Sequence, residues 1–146
     1  MIMKNILVSI DFNKGEDLII KKAIEIAEKF NSKVWIIHIT APEPDFVGYN
    51  VGPEYIRENR ANELRKEHKI LEEHAKNLND QGIEAQGLLI QGATIEMILE
   101  ESKKLKVDLI IAGHQEHNFI YKAFIGSVSA GLIKKSKIPI LIVPIE

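Results

Sequence analysis

The chain of 146 residues contains no cysteine. Disulfide bonds, thiolate metal sites and cysteine nucleophiles are therefore excluded. Its net charge at pH 7 is only −2, so the whole chain has no bulk basic field, and we expect neither nucleic acid nor a membrane as a partner. The apolar segment near the N-terminus stops at Asp11 and is too short for a signal-peptide core or a membrane span. These absences predict a cytoplasmic protein.

The sequence also lacks the motifs of several enzyme classes. It has no GxxxxGK[ST] phosphate-binding loop, no GxGxxG after the first strand and no GxSxG around a serine nucleophile. His114 and His117 flank Glu116, but this segment reads as a loop and lacks the helical spacing of an HExxH metal site. We predict no metal site and no catalytic residue.

Apolar segments and helical patterns alternate along the whole chain. The predicted strands cover residues 4–10, 33–39, 84–91, 107–112 and 139–143. Helices are predicted after each of the first four strands, the first capped by Asn13 with Glu16 and the second covering residues 54–80. This order predicts an α/β fold, a doubly wound five-stranded parallel sheet with helices on both faces, and one domain over residues 1–146.

Ligands in such sheets bind beyond the carboxyl ends of the strands, where the strand order reverses. In a five-stranded sheet of this kind that point usually lies between strands 1 and 4. Asp11 follows strand 1 and Gly113 is predicted to end strand 4. We therefore expect these two residues to meet in one crevice.

The segment from Gly113 to Ser129 carries the most information about function. Gly126 and Ser127 are predicted to open the last helix, where free backbone N–H groups and small hydroxyls favour an anion such as phosphate. Glu116 places an acid in the same loop.

With these features, the chain resembles a single-domain universal stress protein along essentially its whole length. Nucleotide-binding members of that family carry Gly, two residues, Gly, nine residues, then Gly followed by Ser or Thr, and here the pattern has Gly113, Glu116 and Gly126-Ser127 at that spacing. The other matching features are Val128-Ser129, Asp11-Phe12, the strand end Ile37-His38-Ile39 and the closing apolar residues 138–143.

The resemblance implies a Rossmann-like fold of the adenine nucleotide alpha hydrolase-like type that binds ATP or AMP, with Mg²⁺ as a possible companion. The nucleotide-binding positions it implies are Asp11, Ile39, Gly113, His114, Gly126, Ser127, Val128 and Ser129. Three of them have purely structural alternatives that stay open: Ser127 as a helix N-cap, Asp11 as a cap or loop residue, and Ile39 as plain core packing.

Glu116 departs from the family pattern, which has glycine there. Its charge beside a polyphosphate would lower affinity by about tenfold or more if the carboxylate faced the ligand. We therefore expect weakened but real binding of an adenine nucleotide.

The resemblance also implies a homodimer formed through strand 5, residues 139–143, which the expected strand order places at a sheet edge. The predicted function is that of a dimeric stress-response regulatory module. Two alternatives stay open: a nucleotide-independent interaction protein of the same fold, and a slow ATPase. His38, His68 and His74 are expected to be structural or solvated.

Overall fold

A computed structural model of the protein describes residues 3–12, 15–40, 54–115 and 126–145. Within these ranges, five strands alternate with four helices. The strands are β1 (Asn5–Ser9), β2 (Lys33–Thr40), β3 (Ala85–Gln91), β4 (Leu109–Gln115) and β5 (Ile140–Ile145). The helices are α1 (Glu16–Phe30), α2 (Glu54–Asp80), α3 (Thr94–Lys104) and α4 (Gly126–Lys135). Each predicted strand and helix is present, with ends shifted by at most a few residues.

The five strands form one parallel sheet in the order β3-β2-β1-β4-β5. The chain adds β2 and β3 on one side of β1, then crosses back to add β4 and β5 on the other side. This confirms the doubly wound α/β fold and the reversal between β1 and β4. It also confirms that β5 lies at a sheet edge.

Apolar side chains alternate between the two faces of each strand, and each face packs against helices. On one face, Ile6, Val8 and Ile36 join side chains of α1 and α2. On the other, Leu7 and Ile37 join side chains of α3 and α4. Because both faces are buried, the central strands read as nearly continuous apolar runs.

The start of α1 differs from the prediction. The helix begins at Glu16, and its N-cap position is Gly15 with φ of 100°, without a side-chain cap hydrogen bond. The predicted cap, Asn13, lies outside the described residues. The Glu16 carboxylate reaches across to α2, where Oε1 lies 3.1 Å from His74 Nε2. The predicted capping box was therefore wrong, because Gly15 holds the N-cap position and Glu16 is the first residue of the helix and not the third.

Strand β4 is longer than predicted at its carboxyl end. Gly113 was expected to end the strand, but it lies inside it and pairs with Val143, and the pairing continues to Gln115 and Ile145. Glycine is a weak terminator here because β5 extends equally far and keeps the ladder intact.

Candidate functional site

The carboxyl ends of β1 and β4 lie side by side in the centre of the sheet, and three of the predicted site residues, Asp11, Gly113 and His114, lie there. Asp11 follows β1 and is exposed. Ile39 is the penultimate residue of β2, and Gly113 and His114 lie near the carboxyl end of β4. The structure therefore brings the ends of three neighbouring strands to one edge, as the strand order requires.

His114 and Ser129 are in contact on the α3/α4 face of this edge. The Oγ atom of Ser129 lies 3.4 Å from Nδ1 of His114. Ser129 is only 6% exposed, since α4 packs against β4 at this point. The sequence identified both residues as site candidates, but nothing in their spacing indicated that they touch.

Gly113 faces the opposite side of the sheet, because neighbouring residues of a strand point to opposite faces. A Cβ atom built on Gly113 would lie 2.6 Å from Cδ1 of Ile19 and 2.5 Å from Cδ1 of Ile145. The absence of a side chain therefore has a packing reason on the α1 side, independent of any ligand.

The turn after β1 is held by an aromatic contact. The ring of Phe12 lies 4.3 Å, centroid to centroid, from the ring of His38, and Phe12 has a positive φ of 63°. His38 Nδ1 lies 2.8 Å from the carbonyl oxygen of Ile10. Because a carbonyl can only accept, Nδ1 carries the proton. The structural role expected for His38 is confirmed, and the same contacts fix the backbone that carries Asp11.

Ile39 is 9% exposed and packs in the α3/α4 core. Its burial agrees with the core-packing alternative. The next residue, Thr40, is buried and its Oγ1 accepts a hydrogen bond of 2.9 Å from Nη2 of Arg60 on α2. Sequence reasoning missed Arg60, because nothing in the pattern separates it from the other charged residues of that helix.

The N-terminus of α4 opens toward the same edge. Gly126, Ser127, Val128 and Ser129 form its first turn, which contains no acidic residue. The backbone N–H groups of such a turn have no partner within the helix and carry a partial positive charge. Val128 packs in the α3/α4 core. The side chains of Gly126 and Ser127 lie outside the described part, as do Glu116 and His117.

The other histidines behave as expected: His68 Nδ1 lies 3.3 Å from Glu72 on the solvated face of α2, and His74 pairs with Glu16. Among the described residues, no three His, Asp or Glu side chains are grouped so that they could hold a metal ion. No helix in the described ranges is long and apolar enough to cross a bilayer.

Comparisons with known proteins agree with this architecture. The sequence profile of the Universal stress protein family matches residues 3–144. The chain is 29% identical over 129 residues to Universal stress protein MJ0531 of Methanocaldococcus jannaschii, covering 84% of this chain and 71% of that protein. It is 27% identical over 142 residues to Universal stress protein YxiE of Bacillus subtilis, covering 94% and 96% of the two chains.

Solved structures share the fold. The structure of MJ0577 from Methanocaldococcus jannaschii superposes with a TM-score of 0.81 at 25% identity, covering 100% of this chain and 99% of that one. A universal stress protein in complex with cAMP gives a TM-score of 0.69 at 22% identity, covering 98% of each chain. An Arabidopsis thaliana family member with AMP bound gives 0.65 at 18% identity, covering 98% and 92%. Because the profile match spans nearly the whole chain, this protein belongs to the universal stress protein family.

Proposed function

We propose that this protein binds an adenine nucleotide, ATP or AMP, in the crevice between the carboxyl ends of β1 and β4. The observation that carries the proposal is the meeting of Ser129 and His114 at the N-terminus of α4, at the point where the strand order reverses. In open α/β sheets this is where ligands bind. Relatives of the same fold have been solved with cAMP and with AMP, which supports adenine as the base.

The phosphates would lie at the first turn of α4. Its free N–H groups and the hydroxyls of Ser127 and Ser129 are the donors, and the partial positive charge of the helix N-terminus favours an anion there. The backbone of Gly126 and Val128 belongs to the same donor set. When ATP is the ligand, Mg²⁺ would accompany its phosphates, since this cation is usually bound through phosphate oxygens and water.

The nucleoside would lie across the ends of β1, β2 and β4. Asp11 is the acceptor for a ribose hydroxyl, and its backbone is fixed by the contact between Phe12 and His38. The exposed edge of Ile39 forms part of an apolar wall for the base. Gly113 and His114 line the crevice on the side of β4.

Titration calorimetry tests the binding proposal. ATP or AMP injected into nucleotide-free protein should release heat, and Ser129→Ala should weaken the affinity by about tenfold, the loss of one hydrogen bond to a charged group. Ser102→Ala is the matched control, because Ser102 is equally buried but bonds the Ile98 carbonyl on α3. No heat with either nucleotide at millimolar concentration, or equal losses in both variants, would contradict the proposal.

We further propose that the chain is one domain over residues 1–146 that works in the cytoplasm as a homodimeric stress-response regulatory module. The supporting feature is β5, whose outer edge has no partner strand in the described sheet. Its residues Ile140, Leu141, Ile142 and Val143 are apolar and half-buried, and such an edge invites pairing with a second copy. Light scattering that gives the mass of a single chain, 16.5 kDa, at micromolar concentration would count against the dimer.

A second candidate is an interaction protein that needs no nucleotide. The packing explanation of Gly113 favours it, because this glycine is required by Ile19 and Ile145 whether or not a ligand binds. The supernatant of freshly purified, heat-denatured protein distinguishes the two candidates. Adenine absorbance there supports nucleotide binding, and its absence together with silent calorimetry supports the second candidate.

A further inference from the structure

Lysines gather at the amino end of the sheet, opposite the candidate nucleotide site. We call this surface the basic edge and define it by five exposed lysines, Lys4, Lys103, Lys106, Lys134 and Lys137. None of the five forms an ion pair with another described residue. The neighbouring Lys104 and Lys135 differ, since they pair with acids of α3.

Strand register holds three of these lysines close together. Ile6 of β1 pairs with Leu109 of β4, and Ile110 of β4 pairs with Ile140 of β5. Lys4 therefore directly precedes β1, and Lys106 and Lys137 precede β4 and β5 by three residues each, at the starts of three adjacent strands. Direct hydrogen bonds confirm the proximity at the first junction: the Asp108 N–H donates to the Asn5 carbonyl, and Asn5 Nδ2 donates to the Lys106 carbonyl.

The acid within this group is turned inward. Asp108 Oδ2 accepts hydrogen bonds from the backbone N–H groups of Lys4, at 2.8 Å, and of Asn5, at 3.0 Å. The Asp108 carboxylate therefore stabilises the start of β1. The five lysines of the basic edge stay exposed even though the whole chain has a net charge of −2.

Helix dipoles account for only part of the basic edge. Lys103 and Lys134 lie in the last turns of α3 and α4, where a cation is favourable. Lys4, Lys106 and Lys137 lie outside the helices, and Lys106 has a positive φ of 54°. The helix dipoles therefore do not explain why lysine is present at these three positions.

An exposed aromatic ring lies at the same end of the molecule. Phe30 is the last residue of α1 and is 53% exposed. Just after it, the Ser32 hydroxyl donates to the Met3 carbonyl at 2.6 Å and the Lys33 N–H donates to the Lys4 carbonyl at 2.8 Å. The ring is therefore attached beside the lysine that precedes β1.

The kind of cation limits the kind of partner. All three arginines of the chain lie in α2, and the basic edge contains lysine alone. Arginine is the residue that recognises phosphates and nucleic acids by its planar fork, whereas lysine is a mobile point charge. Mobile point charges with one apolar ring suit a diffuse anionic surface that offers no fixed geometry.

We propose that the basic edge docks this protein onto the surface of an anionic lipid bilayer. The lysines supply long-range attraction and Phe30 enters the interfacial region. The expectation that the chain has no membrane partner came from its net charge, which does not reveal where the fold places the individual lysines. In the docked orientation the carboxyl edge faces away from the bilayer, and the inference does not depend on nucleotide binding.

Cosedimentation with vesicles tests the proposal. Vesicles of phosphatidylcholine with about a third phosphatidylserine should retain the protein, and pure phosphatidylcholine should not. Retention should fall as salt rises above about 0.1 M, because the attraction is screened. A variant with Lys4→Gln, Lys106→Asn and Lys137→Gln should partition about 100-fold less, since each lysine near such a surface contributes about a factor of five.

The control variant removes the same charge elsewhere, with Lys21→Gln, Lys66→Gln and Lys69→Gln on exposed positions of α1 and α2. It should keep its retention, whereas Phe30→Ser should lose part of it, and circular dichroism checks that each variant is folded. The proposal is overturned if anionic vesicles retain nothing, or if the control loses as much as the test variant. It is also overturned if the protein binds polyglutamate or duplex DNA through these lysines but does not bind anionic vesicles.

Discussion

The carboxyl and amino ends of the sheet are built from the same five strands but differ in how their polar side chains are packed. At the carboxyl end, polar side chains are packed against one another: Ser129 touches His114, and Arg60 donates to Thr40. At the amino end, Asp108 is tied to the backbone and the lysines stand in solvent. Polar side chains are therefore packed together at the carboxyl end, whereas charged side chains are exposed at the amino end.

The two ends should therefore respond differently to mutation. Where groups are packed, a change of shape should destabilise the fold, and where charges stand in solvent, a change of charge should alter partners and leave the fold intact. Substitutions of Gly15, Gly82 and Asp108 distinguish these two responses.

The largest effect is expected at Gly15, at the carboxyl end. In Gly15→Ala a Cβ would overlap the side chain of Ile145, in a residue whose φ is 100°. Left-handed strain together with overpacking should lower the free energy of unfolding by about 3 kcal/mol. Urea denaturation followed by circular dichroism measures this loss.

Gly82, at the amino end, provides the matched control. Its φ is also positive, at 86°, but a Cβ there would meet nothing within 4 Å. Gly82→Ala should therefore lose only the left-handed strain, about 1 kcal/mol. Equal losses at Gly15 and Gly82 would mean that the contact with Ile145 is unimportant and that the two ends are equally tolerant of added volume.

The second effect tests the amino end where it is not solvated. Asp108→Ala leaves the N–H groups of Lys4 and Asn5 without their acceptor, which should lower the free energy of unfolding by about 2 kcal/mol. Asp108→Asn retains one acceptor oxygen and should lose less. If Asp108→Ala were as stable as the original protein, these hydrogen bonds would not matter for folding. The Asp108 carboxylate would then be free to neutralise the lysines of the basic edge.

Much of the fold follows from the sequence, because both faces of the sheet are buried. Continuous apolar runs mark β1, β2 and β4, and the alternation with helical patterns leaves few topologies open. The end of β4 was misplaced because strand ends depend on the partner strand, here β5, and not on a local glycine.

The candidate site could be predicted only as a set of residues. Strand order from the pattern was enough to bring Asp11 and Gly113 to one edge. The contact between His114 and Ser129, the ring contact of Phe12 with His38 and the Arg60 bond to Thr40 were not predicted. The His114–Ser129 and Arg60–Thr40 contacts depend on how far α4 and α2 extend along the sheet, and the Phe12–His38 contact depends on the turn after β1. No local spacing in the sequence encodes either.

The last effect, on binding and not on stability, is expected for Glu116→Gly. Glu116 stands where the family pattern has glycine, in a loop outside the described residues. If its carboxylate faces the phosphates bound at α4, removing the charge should strengthen ATP binding by about tenfold, or about 1.4 kcal/mol. AMP carries fewer phosphate charges, so its affinity should rise less. Calorimetry of both nucleotides measures the two ratios. Equal increases for ATP and AMP would indicate that the glutamate acted by bulk and not by charge, and unchanged affinity for both would place its carboxylate away from the crevice.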